Sequence, residues 1–488
     1  MREPIPGSVP SLRGLRILRA RLRALNSNTL NTLLVKPMKI SIIGTGYVGL
    51  VSGVCLSEKG HHVTCVDVAP EKVEQINRGE APFVEPGLPQ LLKRNVGKRL
   101  RATTDLAGAV LGSSLTFIAV GTPFDGSQID LTYVRLAARQ VGQVLRRKKS
   151  YHVVVVKSTV VPGTTDEVVR AVLEKASGKK AGRDFGVGMN PEFLSEGEAV
   201  HDFMQPDRIV LGGSDPRAIR ALRGVYRPFH NVPVMATTSK TAEAIKYTSN
   251  ALLAALISFS NEIGNLCAAL GGIDSVDVME GVHLSQYLTP RLPDGQHHRA
   301  PISAFLRAGC GFGGSCLPKD VNALIARGRR AGCDMGLLSE VIRINEGQPR
   351  RMIDLARRHH RSLRGKRVTV LGLSFKPGTD DLRESPAIRL CQLLHRAGAR
   401  VRAFDPVAMP AAKRSALFPH VTYAKTLAAA ARGADVIMLV TSWDEFKRLP
   451  SLLRGMRRPP VVVDGRGLLS GAKLTNYEAI GLGRGDGR

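Results

Sequence analysis

Gly309-Cys310-Gly311-Phe312-Gly313-Gly314-Ser315-Cys316-Leu317-Pro318-Lys319-Asp320 brings together the residue types that covalent catalysis requires. The glycines let backbone pass close to a ligand. Pro318 suits the first turn of a helix, where its missing N–H costs nothing, and Val321, Leu324 and Ile325 continue at helical spacing. Cys316 is therefore expected at or just before a helix N-terminus. There the dipole and free N–H groups favour a thiolate, and Lys319 adds positive charge. Asp320 follows one turn on. A thiol beside a base and an adaptable loop suits nucleophilic catalysis. The alternative is a buried structural cysteine after a glycine-rich turn.

Three further stretches carry chemistry. Gly44-Thr45-Gly46-Tyr47-Val48-Gly49 follows an apolar strand and opens a helical pattern, and Asp67 ends the next strand about 20 residues on. Gly44 allows the turn, Gly46 admits a pyrophosphate, Gly49 lets the helix pack, and Asp67 would accept hydrogen bonds from a ribose. A carboxylate there would repel a 2′-phosphate, so the fingerprint favours NAD over NADP. Thr122 and Thr159 end later strands, where ligands of a doubly wound sheet lie, although either could be only a helix cap. In Asn190-Pro191-Glu192-Phe193-Leu194-Ser195-Glu196-Gly197, a helical turn would put Glu192 and Glu196 on one face. Two solvated glutamates are the bland alternative. Thr241 to about Leu270 reads as one long apolar helix with Lys246 and Asn250 on one face. It is expected to link two α/β units and form a dimer core.

The elements that must position these groups are legible in outline. Short apolar strands recur at Lys39–Ile43, His62–Val66, Leu115–Val120, the β-branched run Val153–Val156 and Gly186–Met189. A second α/β pattern begins at Lys366, with strands near 367–371, 401–404, 436–440 and 461–464. It lacks G-x-G-x-x-G, and Lys376 stands where a phosphate would lie. The expected fold class is α/β, with two Rossmann-like doubly wound domains joined by a long central helix. Residues 288–301 are rich in turn-formers and read as a loop, and His297 and His298 lack the acid or cysteine neighbours of a metal site.

Composition narrows the class. A chain of 488 residues with 43% hydrophobic and 23% charged residues is an ordinary multidomain globular protein. Seven cysteines without C-x-x-C or zinc spacing point to a reducing, cytoplasmic setting with no disulfide framework. The net charge of +29 suits anionic ligands. No nucleic-acid fingerprint accompanies it, and no apolar run has membrane-span length. Residues 1–37 hold seven basic residues and one acidic residue. They are expected to be a basic extension upstream of a true start at Met38, disordered or mis-started, rather than a transit peptide.

The motifs Gly44–Leu50, Val84-Glu85-Pro86-Gly87-Leu88, Lys157-Ser158-Thr159, Asn190–Leu194, Ile245-Lys246-Tyr247, Gly313–Cys316, Leu373–Lys376 and Asp464-Gly465-Arg466 occur in order. With them the chain resembles the UDP-glucose/GDP-mannose dehydrogenase family from Met38 onward. The resemblance implies an NAD-binding domain over 38–235, a central helical dimerisation and cysteine-bearing domain over 236–350, and a nucleotide-sugar (UDP)-binding domain over 366–488. It implies a twofold, metal-free oxidation of a nucleotide sugar's C6 alcohol, UDP-glucose first, by a homodimer or larger homo-oligomer. Cys316 would carry a thiohemiacetal and then a thioester. Lys246 would stabilise an alkoxide, Asp320 and Asn250 would position water, Glu192 would act as acid and base, and Thr159 would support them. Gly44, Gly46, Val48, Gly49, Asp67, Lys72, Thr122, Thr159, Glu196, Lys319 and Arg383 match cofactor contacts.

On the same resemblance, Glu192, Phe193, Leu194, Glu196, Lys246, Asn250, Phe305, Leu306, Arg307, Ala308, Gly309, Gly313, Lys376 and Arg466 match substrate contacts. Asp202–Val210 resembles the UDP-glucose branch. Leu317, Ser177–Gly182 and Gly378–Pro386 resemble the GDP-mannose branch. The chain departs from the family at 285–301, where an insertion offers Arg291 or Arg299 in place of a usual cross-dimer arginine. The alternatives are GDP-mannose or UDP-N-acetylhexosamine oxidation and, in another class, a non-catalytic nucleotide-sugar-binding regulator.

Overall fold

The computed structural model describes residues 36–483, so the expectation for the basic extension falls, up to residue 35, outside the described residues. Two parallel sheets are built around the central helix. The first contains β1 (Lys39–Ile43), β2 (His62–Val66), β3 (Leu100–Thr103), β4 (Leu115–Ile118), β5 (Val153–Val156), β6 (Gly186–Met189), β7 (Ile209–Gly212) and β8 (Val234–Thr237), in the order β3-β2-β1-β4-β5-β6-β7-β8. Pairing is parallel except between β6 and β7, which meet antiparallel at Met189 and Gly212. The second contains β9 (Arg367–Leu371), β10 (Arg400–Phe404), β11 (Val421–Tyr423), β12 (Val436–Leu439), β13 (Val461–Asp464) and β14 (Tyr477–Ala479), all parallel, in the order β11-β10-β9-β12-β13-β14. The central strands are apolar runs buried on both faces, as helices on both sides of a sheet require: β4, β5, β12 and β13 are buried at every position.

The helices that matter here are α1 (Tyr47–Glu58), α2 (Ser239–Leu270), α3 (Ser275–His283), α4 (Leu317–Arg330), α5 (Gly336–Arg357) and α6 (Pro386–Arg396). Thr238 caps α2 by accepting from the Thr241 backbone N–H at 3.1 Å. Ala251 and Ala254 of α2 bury against Phe312, Val321, Ile325 and Val341 of the cysteine loop, α4 and α5. Small residues there let the three helices approach. Of the described helices, α2 alone has the length and composition of a membrane span, and it lies at the centre of the fold.

Two sequence expectations change. The insertion is not shapeless. Arg291 and His297 pair across a short antiparallel bridge, and Pro301–Phe305 forms a 3-10 turn. Residues 190–196 form no helix, so Glu192 and Glu196 do not share a helical face. Pro191 removes one backbone donor there, and the segment follows β6 directly.

Candidate active site

The glycine-rich loop after β1 is shaped by its neighbours. Gly44 has φ +96°, and a Cβ on it would lie 2.6 Å from the Ala119 carbonyl oxygen. A Cβ on Gly49 would lie 2.0 Å from the Gly44 carbonyl oxygen, so α1 can sit on the loop only without one. Gly46 differs, since nothing lies within 4 Å of where its Cβ would be, and the same holds for Gly121 after β4. Gly46 is also the N-cap of α1 and has no side-chain cap, which leaves the first-turn N–H groups around Val48 for an anion. Asp67 Oδ2 accepts from the Thr45 N–H at 2.9 Å and lies 3.5 Å from Lys72 Nζ. Burial works against its charge, but the Thr45 and Ala69 hydrogen bonds and Lys72 outweigh it and hold the carboxyl below its ordinary value. Open space at the phosphate position and an ionised acid at the ribose position fit NAD. The Thr122 hydroxyl donates to the Thr159 carbonyl at 2.8 Å and ties the ends of β4 and β5 together.

The second sheet repeats this plan and then closes it. Asp405, after β10, accepts from the Leu373 N–H at 2.8 Å and the Ser374 N–H at 3.1 Å, as Asp67 does from Thr45. Gly372, at φ +93°, matches Gly44. The residue two positions on is Ser374 rather than glycine, and both Leu373 and Ser374 are fully buried. The loop is filled by its own side chains.

Cys316 is the N-cap of α4, as expected, with Pro318 in the first turn, and the Asp320 N–H donates to its carbonyl at 2.8 Å. The thiolate expectation does not hold for this state. Burial pushes the thiol above its ordinary value, Lys246 opposes this, and Glu192 and Asp320 add to it. Lys319 is engaged elsewhere, with its Nζ 2.5 Å from Asp320 Oδ1. The Ser315 hydroxyl lies 3.6 Å from Cys316 Sγ.

Around the thiol, α2 and the post-β6 segment supply a buried polar cluster. Lys246 Nζ lies 3.0 Å from Glu192 Oε1, with both side chains about 5% exposed or less. Glu192 Oε2 accepts from the Leu194 N–H at 2.7 Å. Burial opposes both charges of the pair. Mutual attraction, helped by Lys157 on the carboxylate side and by Cys316 and Asp320 on the ammonium side, holds Glu192 below and Lys246 above their ordinary values. One turn along α2, the Asn250 amide donates to Asp320 Oδ2 at 2.6 Å, and Asp320 is fully buried. Phe193 lies under Arg208, whose guanidinium carbon is 3.9 Å from the ring centroid.

Glu196 goes the other way. Its Oε1 accepts from the Ser315 hydroxyl and from the Arg383 guanidinium, each at 3.2 Å. Burial, with Asp381 close by, pushes it up to about 7. Arg383 also pairs with Asp381 at 2.6 Å. Lys376 Nζ donates to the Ser195 hydroxyl at 2.8 Å, so the two sheets are bridged directly. Gly313 and Gly314 are pressed against the second domain: a Cβ on Gly313 would lie 2.2 Å from the Glu384 carbonyl oxygen, and one on Gly314 2.8 Å from the Phe375 ring. The Gly309 N–H donates to Asn261 Oδ1 of α2 at 2.7 Å, and the Cys310 N–H donates to the Gly465 carbonyl at 2.8 Å. Arg307, Ala308 and Arg466 line one cavity of about 500 Å³, next to the turn that carries Phe305 and Leu306.

Ser195, Asn345 and Asp381 were given no role from sequence, while Lys157 entered only within the motif Lys157-Ser158-Thr159 and Asn261 only as a polar residue on the edge of the long helix. Asn345 holds the Phe312 backbone through both its amide groups, at 2.7 and 3.0 Å. The signals were a lone cation following a run of four valines for Lys157 and a polar residue within an apolar helix for Asn261.

Residues 38–230 match the NAD binding domain of the UDP-glucose/GDP-mannose dehydrogenase family, residues 240–347 its central domain, and residues 369–471 its UDP binding domain. A UDP-glucose 6-dehydrogenase of Haloferax volcanii is 44% identical over 448 residues, covering 91% of this chain and all of that one. A GDP-mannose 6-dehydrogenase of Pseudomonas aeruginosa is 44% identical over 372 residues, covering 75% and 81%. The solved UDP-glucose dehydrogenase of Pyrobaculum islandicum superposes with a TM-score of 0.83 at 40% identity, over 92% of this chain and 99% of that one. With every domain matched in order, this chain belongs to the UDP-glucose/GDP-mannose dehydrogenase family.

Proposed function

We propose that the protein oxidises the C6 hydroxymethyl group of UDP-glucose to a carboxylate, with two NAD consumed per product. The cofactor is NAD and the substrate a nucleotide sugar, in keeping with the domains matched. UDP-glucose is preferred because relatives from Haloferax volcanii and Bacillus subtilis, covered over at least 91% of their length, are UDP-glucose 6-dehydrogenases. The GDP-mannose relative matches a smaller share of the chain. The observation that carries the catalytic reading is the buried Lys246–Glu192 pair, set beside Cys316 and the Asn250–Asp320 hydrogen bond.

NAD supplies the hydride acceptor for each oxidation. Lys246 stabilises negative charge on the C6 oxygen as its proton leaves. An aldehyde has no hydride to give until a nucleophile adds, so Cys316 Sγ bonds to the carbonyl carbon to form the thiohemiacetal. Its oxidation leaves a thioester. Asp320 and Asn250 position water, Glu192 takes a proton from it, and the C–S bond breaks to release the acid and Cys316. The high resting position of the thiol fits this order, because a proton is retained until the aldehyde forms. Thr159 completes the support of this centre.

Gly44, Gly46, Val48, Gly49, Asp67, Lys72, Thr122, Glu196, Lys319 and Arg383 form the cofactor side. Phe193, Leu194, Phe305, Leu306, Arg307, Ala308, Gly309, Gly313, Lys376 and Arg466 form the substrate side. The homodimer reading rests on Leu252, Phe259 and Leu266, which are about half exposed and spaced seven apart along α2, one apolar stripe. The cytoplasmic reading rests on the seven cysteines, all free thiols.

A panel of UDP-glucose, GDP-mannose and UDP-N-acetylhexosamines with NADH absorbance as readout tests the substrate. Turnover of GDP-mannose with none of UDP-glucose would overturn the choice. Binding of all of them without NADH formation would support a regulator instead.

A further inference from the structure

Behind Glu192 lies a cavity of about 230 Å³ whose walls include Lys157, Asn190, Phe203, Arg208 and Tyr226 as well as Glu192 itself. Cys316 and Lys246 are not among its lining residues. Glu192 therefore stands between the cavity and the reacting centre. It faces Lys246 through Oε1, and its Oε2 receives the Leu194 N–H.

Lys157 is the unusual member. It is 2% exposed, at the end of β5. Its ammonium carries three donors, and Asn190 Oδ1 at 2.9 Å is its one hydrogen-bond acceptor among the described residues. That oxygen is shared with the Tyr226 hydroxyl at 2.5 Å, and the Asn190 amide is spent on the Val210 carbonyl at 2.9 Å. The rings of Phe117 and Phe203 lie 5.7 and 5.8 Å away. A buried ammonium with spare donors needs further acceptors, and the cavity beside it has room for several waters that would supply them. At the outer end the cavity is walled by Asp207 and Arg208, and Asp207 is largely exposed.

The charged groups around Glu192 are Lys246 from α2 and Lys157 just after β5, with Cys316 and Asp320 beyond Lys246 and with Asp202, Asp207 and Arg208 on the wall of the shared cavity. Burial brings Lys157 down to about 8, partly offset by Glu192, so this lysine gives up its proton more readily than a surface lysine would.

We propose that Lys157 is a positioning residue for the hydrolytic half of the reaction: it keeps Glu192 ionised, and the water-filled cavity they share carries the proton that Glu192 takes up out to solvent. This rests on the role proposed above for Glu192. Thioester hydrolysis consumes one water, breaks the C–S bond and forms the C–O bond. It releases one carboxylate, Cys316 and two protons if the cysteine leaves as thiolate, or one if as thiol. No redox partner is needed. The proton taken from the attacking water passes from Glu192 to the cavity waters, and Glu192 returns to its charged form beside Lys157 and Lys246.

The test uses the full chain with UDP-glucose and NAD, read by stopped-flow NADH absorbance and by acid quench with mass spectrometry of the Cys316 thioester. In Lys157→Met, the first NADH-forming step stays within about twofold. Thioester decay slows about tenfold or more at neutral pH, and the acidic limb of its pH profile moves upward because Glu192 ionises later. Lys157→Arg restores both. Lys157→Gln removes the charge but keeps an amide donor toward Asn190, and carries the test if Lys157→Met does not fold. Equal slowing of both half-reactions, or a pH profile overlying that of the unmodified protein, would overturn the inference. Glu192→Gln run in parallel separates the two ideas. If it leaves thioester decay unchanged, the role of Glu192 fails. If it slows decay while the Lys157 variants do not, only the proton route fails.

Discussion

Replacing Lys246 by methionine removes the ammonium 3.0 Å from Glu192 and leaves a carboxylate that is 6% exposed. At that distance and an effective dielectric of about 20, the attraction is about 5 kcal/mol. Loss of one partner of a buried pair usually costs about 3–5 kcal/mol, because the other charge is stranded. In Lys246→Met only Lys157 is left to hold the Glu192 charge, so Glu192 is expected to ionise at higher pH and its proposed base function to weaken near neutral pH. The first NADH-forming step should fall by about 10²–10³, the typical cost of losing a donor aimed at developing negative charge. Glu192→Gln strands Lys246 in the same way. The two changes should be far from additive: in the double variant the second substitution should cost roughly 3 kcal/mol less than it does alone. Urea unfolding followed by circular dichroism, with NADH absorbance for rate, measures both cycles. Additive effects would mean that the two groups do not sense each other and would refute the reading of this pair as the charged centre of the site.

Cys316→Ala should abolish uronic acid formation while isothermal titration still shows NAD binding, and full turnover would remove the covalent step. Gly46→Ala should leave the melting temperature unchanged, because nothing lies within 4 Å of the new methyl group, yet weaken NAD binding about tenfold or more. Gly313→Ala should do the reverse, since its methyl group would strike the Glu384 carbonyl at 2.2 Å: NAD still binds, while stability drops by roughly 1–3 kcal/mol and turnover falls with it. Glu196 is raised from 4.5 to about 7, so the folded protein holds a proton there that the unfolded chain has released. Its stabilising contribution is full below about pH 4.5 and is lost as pH rises through about 7, so Glu196→Gln should flatten melting temperature against pH across that window. Phe259→Glu, placed on the exposed stripe of α2, tests the proposed dimer: analytical ultracentrifugation should find the variant monomeric and the unmodified protein larger.

The local signals that were legible in the sequence are those that depend on one segment at a time. The strand–glycine–helix run at 39–58 and Asp67 could be placed because turn chemistry and period are local. The β-branched run 153–156 announced a doubly buried strand. Strands β3, β7, β8, β11 and β14 were not recognised: β8 and β11 have no fully buried position, and β14 is three residues long. Glu192 and Glu196 were recognised as a pair that would share a face if the turn were helical, and that condition is not met over 190–196. Lys157 and Asn261 could be noted but given no role, because their partners lie 33 and 48 residues away, and Asp381 was missed because the Glu196 beside it belongs to the other domain; no window of sequence contains both members.

The same long-range contacts alter what the glycines before Cys316 are for. From sequence they were expected to admit a ligand. In the fold, added Cβ atoms at Gly309, Gly313 and Gly314 would run into Gly465, Glu384 and Phe375, all of the second domain. The Gly314 N–H donates to the Arg383 carbonyl at 2.9 Å, and the next residue, Ser315, reaches Glu196 of the first domain. The loop is thin because it is wedged between two sheets built on one plan, of which only the first keeps an open glycine at its phosphate turn. A side chain at any of these three glycines would press against the second domain. The packing of the two domains and the placing of the thiol are thus one problem, and the same contacts that join the domains fix the position of Cys316.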